Sequence, residues 1–285
     1  MKESNKRRLK ISMTGWIFVP MLLMSIFVME LIYREVPPGW KPRAFGNTGN
    51  LPEEVAGYVV ERPDFSSFKW EGEGLITLWF DDAWLSQYEN AYPMLKERGY
   101  KGTIAVPTEY IGYESYLSWD QLRDLQKNGW EVTSHSVSHD CAYIEEDINN
   151  IEQELVESKR ALLREGLMFD NYVTPCGKVS DELVRLVKKH YKSLRLIGHN
   201  LNVLPVRDPY TLEVIGVDLE TPLIEIEWWM GEAKRKNMWL ILMFHQVEDK
   251  ENLYGNDIKT MNEILNAVER LDLKVVLPAE VLSIK

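Results

Sequence analysis

The chain has 285 residues, enough for one large α/β domain with accessory segments. Hydrophobic residues make up 45% and charged residues 27%, which is typical of a folded globular protein and excludes a disordered chain. The net charge is −11 and no basic block follows the first ten residues, so we expect no nucleic-acid partner.

The N-terminal segment differs in composition from the rest of the chain. Residues 1–10 are rich in Lys and Arg, and the stretch from Ile11 to Met29 carries no charge. At about 1.5 Å per residue this stretch spans roughly 28 Å, close to the hydrocarbon thickness of a bilayer. Because the basic flank precedes it, we expect a cytoplasmic tail at 1–10, a transmembrane signal-anchor at 11–33 and the bulk of this single-pass membrane protein outside.

A cleaved signal peptide is the alternative to this anchor. The apolar core of a signal peptide is usually shorter, and small residues follow it. Here Met29-Glu30-Leu31-Ile32-Tyr33 follows, which favours an uncleaved anchor.

Residues 34–69 lack the periodicity of a helix or a strand. Scattered Gly, Asn and Ser accompany prolines at positions 37, 38, 42, 52 and 63. We interpret 34–69 as a Pro-rich tether that separates the domain at 70–285 from the bilayer.

Strand-length apolar runs alternate with helical patterns along the domain. The apolar runs lie at 75–80, 102–106, 130–134, 171–174, 194–198, 213–217, 238–244 and 273–277. One intervening helix follows Ser118, with Gln121 completing a capping box, and another begins at Thr221-Pro222, a cap followed by proline at the first helical position. This alternation predicts a parallel α/β sheet closed as a barrel.

Three of the apolar runs end in acidic or histidine side chains. The first ends in Asp81 and Asp82, the third in His135, with His139 following, and the seventh in His245. The carboxyl ends of strands in a parallel barrel meet on one face, so we expect these residues to converge. Two histidines and one carboxylate would hold a metal with open positions for water, the second carboxylate could act as a base, and His245 could protonate a leaving group.

Each of these signals is weak when taken alone. Paired aspartates often cap a helix, and a histidine after a strand is more often structural than functional. The ordered combination is what indicates hydrolysis of an amide or ester.

Four motifs of this chain, in this order, resemble the polysaccharide deacetylases with a NodB homology domain (carbohydrate esterase family four). They are LWFDD, SHSVSH, VTPCG and ILMFHQV, and the resemblance covers roughly residues 70–285. It implies a distorted (β/α) barrel of the NodB type that removes acetyl groups from N-acetylated sugars. It also implies an acetylated glycan as partner and a divalent metal, most commonly Zn²⁺, with Co²⁺, Ni²⁺, Fe²⁺ or Mn²⁺ as alternatives.

The resemblance also implies a role for each motif residue. Asp81 is similar to the general base, and His245 to the general acid that protonates the departing amine. Asp82, His135 and His139 are similar to the metal ligands.

Other residues near the motifs are expected to contact the substrate. The backbone N–H of Cys176, following Pro175, would donate to the developing oxyanion. Trp84 closely follows the aspartates and is a candidate platform for sugar stacking, with core packing as the alternative.

This chain departs from the family pattern at the arginine that braces the base aspartate. Val173 occupies that position, so we expect Asp81 to ionise less readily unless Arg195 or Arg207 replaces the missing charge.

Further departures affect the loops. Ala83 stands where the family often has Gly, and Cys176 replaces an aromatic residue. Thr221 stands at the fourth-motif aspartate, which leaves Asp218 or Glu220 as candidate partners for His245.

Of the two cysteines, Cys141 lies two residues after His139, and Cys176 lies in the loop of the third motif. We hypothesise that they form a disulfide that fixes the rim of the site, which an oxidising compartment permits. The alternative is two small apolar side chains.

The sequence therefore predicts a membrane-anchored, extracytoplasmic, metal-dependent deacetylase of an acetylated glycan. One alternative is an O-acetyl esterase or non-sugar amidase that uses the same metal site. Another is a catalytically weak glycan-binding protein on a deacetylase scaffold, because the bracing arginine is missing at Val173.

Overall fold

The structure is a computed structural model that describes residues 65, 68–141, 148–167, 170–249 and 254–284. The predicted tail, the anchor at 11–33 and most of the tether lie outside these residues. Of the helices in the described ranges, none combines the length and the apolar character needed to cross a membrane.

In the described part of the chain, eight parallel strands form one sheet. They are β1 Leu75–Phe80, β2 Thr103–Val106, β3 Glu131–Ser134, β4 Asn171–Val173, β5 Ser193–Arg195, β6 Ile215–Gly216, β7 Trp239–Phe244 and β8 Lys274–Val275. Their order is β5-β4-β3-β2-β1-β7-β6, and β8 pairs with the first residues of β1. The parallel α/β sheet predicted from the alternation is confirmed.

The two edges of this sheet approach each other. An isolated parallel bridge joins Arg195 at the end of β5 to Leu212, shortly before β6. The predicted barrel is therefore an incomplete one, in which a single bridge takes the place of a continuous ladder between β5 and β6.

Helices alternate with the strands and cover the sheet. They are α1 Tyr92–Glu97, α2 Trp119–Lys127, α3 Ile148–Arg164, α4 Asp181–His190, α5 Leu223–Lys236, α6 Ile258–Arg270 and α7 Pro278–Val281. A π-helical turn, Gln87–Ala91, precedes α1, and a 3₁₀ turn, Pro175–Gly177, follows β4.

Sequence signals located the helix starts well, with one exception. The capping box before α2 is present, because Ser118 Oγ accepts from the Gln121 N–H and Gln121 Oε1 accepts from the Ser118 N–H. The prediction that Thr221 caps α5 was wrong by one residue. Pro222 is the N-cap, and the Thr221 hydroxyl donates to Asp218 Oδ1 at 2.7 Å instead.

The side chains of the central strands form two buried layers. One layer packs against the helices and includes Ile76, Leu78 and Phe80 of β1. The other fills the inner face of the sheet and includes Leu75 and Trp79 of β1 together with Trp239, Ile241 and Met243 of β7. Because side chains alternate along a strand, Asp81 continues the inner-face series of Leu75 and Trp79.

The first and seventh strands set the positions of the residues that follow them. β1 and β7 pair in register from Leu75 with Trp239 to Phe80 with Phe244. The Asp81 N–H then donates to the Phe244 carbonyl at 2.8 Å. This register brings Asp81 and His245 side by side at the carboxyl ends of the two strands.

The close approach of α5 to the start of β1 gives a test of this packing. A Cβ at Gly74 would lie 2.5 Å from the Ala233 carbonyl oxygen in α5. Gly74→Ala should therefore lower the free energy of unfolding by about 1–3 kcal/mol, measured by urea denaturation.

The matched control for this substitution lies in the same helix. A Cβ at Gly231 in α5 would meet no described atom within 4 Å beyond its chain neighbours and the backbone of its own helix, so Gly231→Ala should raise stability by about 0.5–1 kcal/mol. Equal stability of Gly74→Ala and the wild type would contradict the close packing of α5 on β1.

Candidate active site

Three predicted metal ligands converge beside the carboxyl ends of β1 and β3. Nε2 of His135 lies 3.4 Å from Asp82 Oδ1, and Nε2 of His139 lies 3.3 Å from the same oxygen. One possible ligand atom from each residue lies within 4.8 Å of the other two. The convergence predicted from the sequence is therefore present in the structure.

These ligand atoms fit a divalent metal. Among the described residues, no hydrogen-bond partner reaches the buried Oδ1 of Asp82. His135 Nδ1 lies 2.9 Å from the Val173 carbonyl, which can only accept, so Nδ1 carries the proton and Nε2 presents its lone pair. A carboxylate and two imidazoles form a set typical of zinc and of non-haem iron sites with open positions.

Burial and proximity set the protonation states of the ligands. Burial lowers the pKa of His139 to about 4, so its imidazole is neutral at pH 7. Burial opposes the ionisation of Asp82, but the neighbouring imidazoles of His139, His135 and His245 outweigh it and hold the Asp82 pKa well below its usual range. A neutral imidazole and an ionised carboxylate are the forms that bind a metal.

The backbone turns sharply between the two adjacent aspartates. Asp82 and Ala83 have φ values of 73° and 57°, in the left-handed region that favours glycine. This turn separates the two carboxylates, because Asp81 follows the inner face of the sheet while Asp82 faces His135 and His139. The replacement of the family's glycine by Ala83 has not removed the left-handed conformation.

Asp81 forms a buried ion pair with an arginine of β5. Arg195 Nη2 donates to Asp81 Oδ2 at 2.5 Å, and the two side chains are 1% and 5% exposed, respectively. The guanidinium carbon also lies 5.2 Å from the centre of the Trp79 ring, within range of a cation–π interaction.

The neighbouring strand supplies an arginine in place of the one that Val173 replaces in the family pattern. Val173 in β4 and Arg195 in β5 are register partners on neighbouring strands. The positive charge beside Asp81 therefore comes from β5, one strand away from the position of Val173. Of the two arginines that the sequence left open, Arg195 makes this contact, whereas Arg207 is exposed.

A buried glutamine links the ends of β1 and β7. Gln87 Nε2 donates to the Asp81 carbonyl at 2.6 Å and to the His245 carbonyl at 3.0 Å. Gln87 is 1% exposed, although its position after the acidic motif gave no sign of this role. It holds the segments that carry the predicted base and acid at a fixed separation.

A glutamate of α3 anchors the loop between the two histidine ligands. Glu154 Oε2 accepts from the N–H groups of Val137 and Ser138, at 2.8 and 3.0 Å. The sequence did not single out this residue, because a glutamate in an amphipathic helix normally faces solvent.

His245 lies next to the ligand set. Its Nε2 is 3.8 Å from Asp82 Oδ2, and its ring centre is 6.0 Å from that of Tyr254. Asp218 accepts from the Glu220 N–H and the Thr221 hydroxyl, within its own turn. In the described part of the chain, neither Asp218 nor Glu220 hydrogen-bonds His245, so both candidate partners were wrong.

A disulfide joins the second and third motifs. It connects Cys141, just after His139, to Cys176 in the turn after Pro175, which confirms the hypothesis of a cross-linked rim. Cys176 has φ of 55°, so this turn is also left-handed. The roles of the Cys176 amide and of Pro175 toward substrate stay predictions.

Trp84 lies beside the ligand set. Its indole N–H donates to Asp82 Oδ2 at 3.1 Å, and its ring stacks on that of Tyr116 with centres 4.4 Å apart. One face of the ring is thus covered by protein. The stacking of a sugar on Trp84 stays a prediction.

The buried ion pair predicts a large effect on stability. Arg195→Met would leave the Asp81 carboxylate buried without its partner and should lower the free energy of unfolding by about 3–5 kcal/mol, measured by urea denaturation. Arg207→Met, at an exposed arginine, is the matched control and should change stability by no more than about 0.5 kcal/mol. Similar losses in the two variants would argue against the pair.

Comparison with known proteins agrees with the motifs. Residues 70–192 match the family model described as polysaccharide deacetylase. YxkH of Bacillus subtilis (strain 168), whose own assignment to this family is provisional, is 26% identical over 126 residues, or 41% of this chain and 42% of that protein. The poly-beta-1,6-N-acetyl-D-glucosamine N-deacetylase of Staphylococcus aureus (strain MSSA476) is 27% identical over 128 residues, or 39% and 43% of the two chains.

These alignments span less than half the length of either curated relative. Among solved structures, the Xyl-CE4 domain of a multidomain xylanase from the hindgut metagenome of Trinervitermes trinervoides is similar, with a TM-score of 0.55 and 17% identity. The match covers 73% of this chain and 89% of that domain, and it shows a shared fold. The match of residues 70–192 to the polysaccharide deacetylase model, the shared fold and the four motifs therefore agree with one another.

Proposed function

We propose that this chain is a metal-dependent hydrolase that removes N-acetyl groups from an acetylated polysaccharide. The observation that carries the proposal is that two adjacent carboxylates have different partners. Asp82 faces two histidines in a set that fits a metal, and Asp81 is held by Arg195 at the same strand end. A metal site with a separate base beside it suits hydrolysis of a carbon–nitrogen bond.

Asp82, His135 and His139 would hold the divalent metal, for which Zn²⁺ is the first expectation. When bound, the metal supplies Lewis acidity to water and to the acyl carbonyl of the substrate. The neutral state of His139 at pH 7 means that this ligand need not lose a proton to bind it.

Asp81 would accept a proton from the attacking water. Its Oδ2 accepts from Arg195, while its Oδ1 is buried and has no hydrogen-bond partner in the described residues. Oδ1 is therefore the atom available to take the proton. Arg195 orients the carboxylate and offsets its charge without occupying that oxygen.

His245 would protonate the departing amine. It follows β7, which pairs with β1 in register, and its side chain is 22% exposed beside the ligand set. Gln87 fixes its backbone relative to that of Asp81. The base and the acid thus come from separate strands, and the Cys176 amide, on a third strand end, would donate to the oxyanion.

Exposed aromatic rings near the site support a sugar substrate. Tyr254 is 46% exposed and lies against His245, and Tyr113, in the loop after β2, is 42% exposed. Flat aromatic faces offer apolar contact to sugar rings. The name of the Staphylococcus aureus relative gives a polymer of N-acetyl-D-glucosamine as its substrate, and we propose the same substrate class here.

We also propose that the domain lies outside the cytoplasm, on a single-pass anchor at residues 11–33. The uncharged stretch from Ile11 to Met29 and its basic flank support the anchor and its orientation. The Cys141–Cys176 disulfide supports an oxidising compartment.

Acetate release by the full chain in detergent tests the function. Substrates are oligomers of N-acetylglucosamine, with an O-acetylated xylan as the ester alternative, each with added zinc and with chelator. We expect zinc-dependent release from the N-acetyl oligomers, and His139→Gln should reduce it about 100-fold or more because a metal supplies several kcal/mol of transition-state stabilisation.

His199→Gln, at an exposed histidine, is the matched control and should retain activity. Release from the O-acetylated xylan alone would favour the esterase alternative. Release from N-acetyl oligomers that survives chelation would contradict the metal-dependent mechanism.

A further inference from the structure

Trp84 binds one oxygen of the Asp82 carboxylate, and the other oxygen faces the two histidine ligands. The indole N–H donates to Oδ2 at 3.1 Å, while Oδ1 faces Nε2 of His135 and of His139. A hydrogen bond to one oxygen restricts rotation of the carboxylate and leaves the other oxygen directed at the histidines. Donors of this kind around a metal ligand orient it and tune its affinity.

Trp84 is itself held in place by other aromatic rings. It stacks on Tyr116 with ring centres 4.4 Å apart and planes inclined by 24°. The Tyr116 ring lies 5.0 Å from that of Tyr110, which lies 6.4 Å from the ring of His139. Trp84, Tyr116 and Tyr110, which we term the aromatic bridge, therefore run in contact from one ligand of the site to another.

Backbone hydrogen bonds fasten the bridge at its Trp84 end. The Leu117 N–H donates to the Ala83 carbonyl at 2.9 Å, and the Leu85 N–H donates to the Ser115 carbonyl at 2.7 Å. Trp84 and Tyr116 accordingly form an isolated antiparallel bridge. The loop after β2 is thus attached to the turn that carries Asp82.

The backbone conformation of the turn at Asp82 and Ala83 explains why contacts from neighbouring residues are needed to hold it. Asp82 and Ala83 both have positive φ, a backbone conformation that residues with a Cβ adopt less readily than glycine. A turn under this strain keeps its shape only where surrounding contacts over-determine it. The aromatic bridge supplies such a contact at Asp82 Oδ2, through the indole N–H of Trp84.

We propose that Trp84 is a positioning residue for Asp82, and that the aromatic bridge keeps Asp82 and His139 at the separation that metal binding requires. The inference rests on the proposed metal site. It differs from a role of Trp84 as a platform for sugar, because it locates the effect of Trp84 in the affinity for metal.

Zinc affinity of the full chain in detergent is the measurement that separates these roles. Trp84→Phe keeps an aromatic ring for stacking and removes the N–H donor. We expect zinc to bind about 10- to 100-fold more weakly, measured by competition with a chelating dye, as for other partners of metal ligands. The KM for an N-acetylglucosamine oligomer at saturating zinc should stay within about twofold of wild type, because substrate contact is retained.

Two further variants complete the test. Trp228→Phe makes the same substitution at an indole that is 56% exposed on α5, and should leave zinc affinity unchanged. Tyr116→Leu keeps the Trp84 indole but removes the ring on which it stacks, and should weaken zinc binding in the same direction. Far-UV circular dichroism checks that each variant is folded.

Wild-type zinc affinity in folded Trp84→Phe would overturn the inference, whether or not KM rises. A raised KM with unchanged affinity would assign Trp84 to substrate stacking instead. Zinc affinity is read without substrate, so the outcome stands even if the wild-type protein releases no acetate, which would count against the proposed function alone.

Discussion

The ion pair between Asp81 and Arg195 is the interaction on which the rest of the site depends. Both side chains are almost fully buried, and a buried charge is unfavourable unless it is paired. The pair joins β1 to β5, which are separated by three strands in the sheet order, so it spans the inner face of the incomplete barrel. It fixes the position of Asp81, and the left-handed turn that follows directs Asp82 to the histidines.

This pair also bears on the alternatives that the sequence left open. A catalytically weak, glycan-binding role was suggested by the absence of an arginine at Val173. Because Arg195 provides that charge from the adjacent strand, the premise of the alternative no longer holds. The choice between amide and ester substrates depends on what contacts the leaving group, where His245 and Tyr254 lie.

Sequence alone predicted the strands and the convergence of Asp82, His135 and His139, because the carboxyl ends of parallel strands meet on one face. It could not choose Arg195 over Arg207, since the choice depends on the β4–β5 register and on burial. Gln87 and Glu154 act through backbone groups, a role that has no sequence pattern. The direction of the Trp84 indole follows from a positive-φ turn at Ala83, where the sequence lacks the expected glycine.

A double-mutant cycle on acetate release at saturating zinc tests the central claim most directly. The four proteins are the wild type, Asp81→Asn, Arg195→Met and the double variant, with turnover number as the measured quantity. If Arg195 acts through Asp81, its substitution should reduce turnover strongly in the wild type and by less than about twofold when Asp81 is already Asn. Losses that multiply in the double variant would show that Arg195 acts independently of Asp81, and would contradict the account.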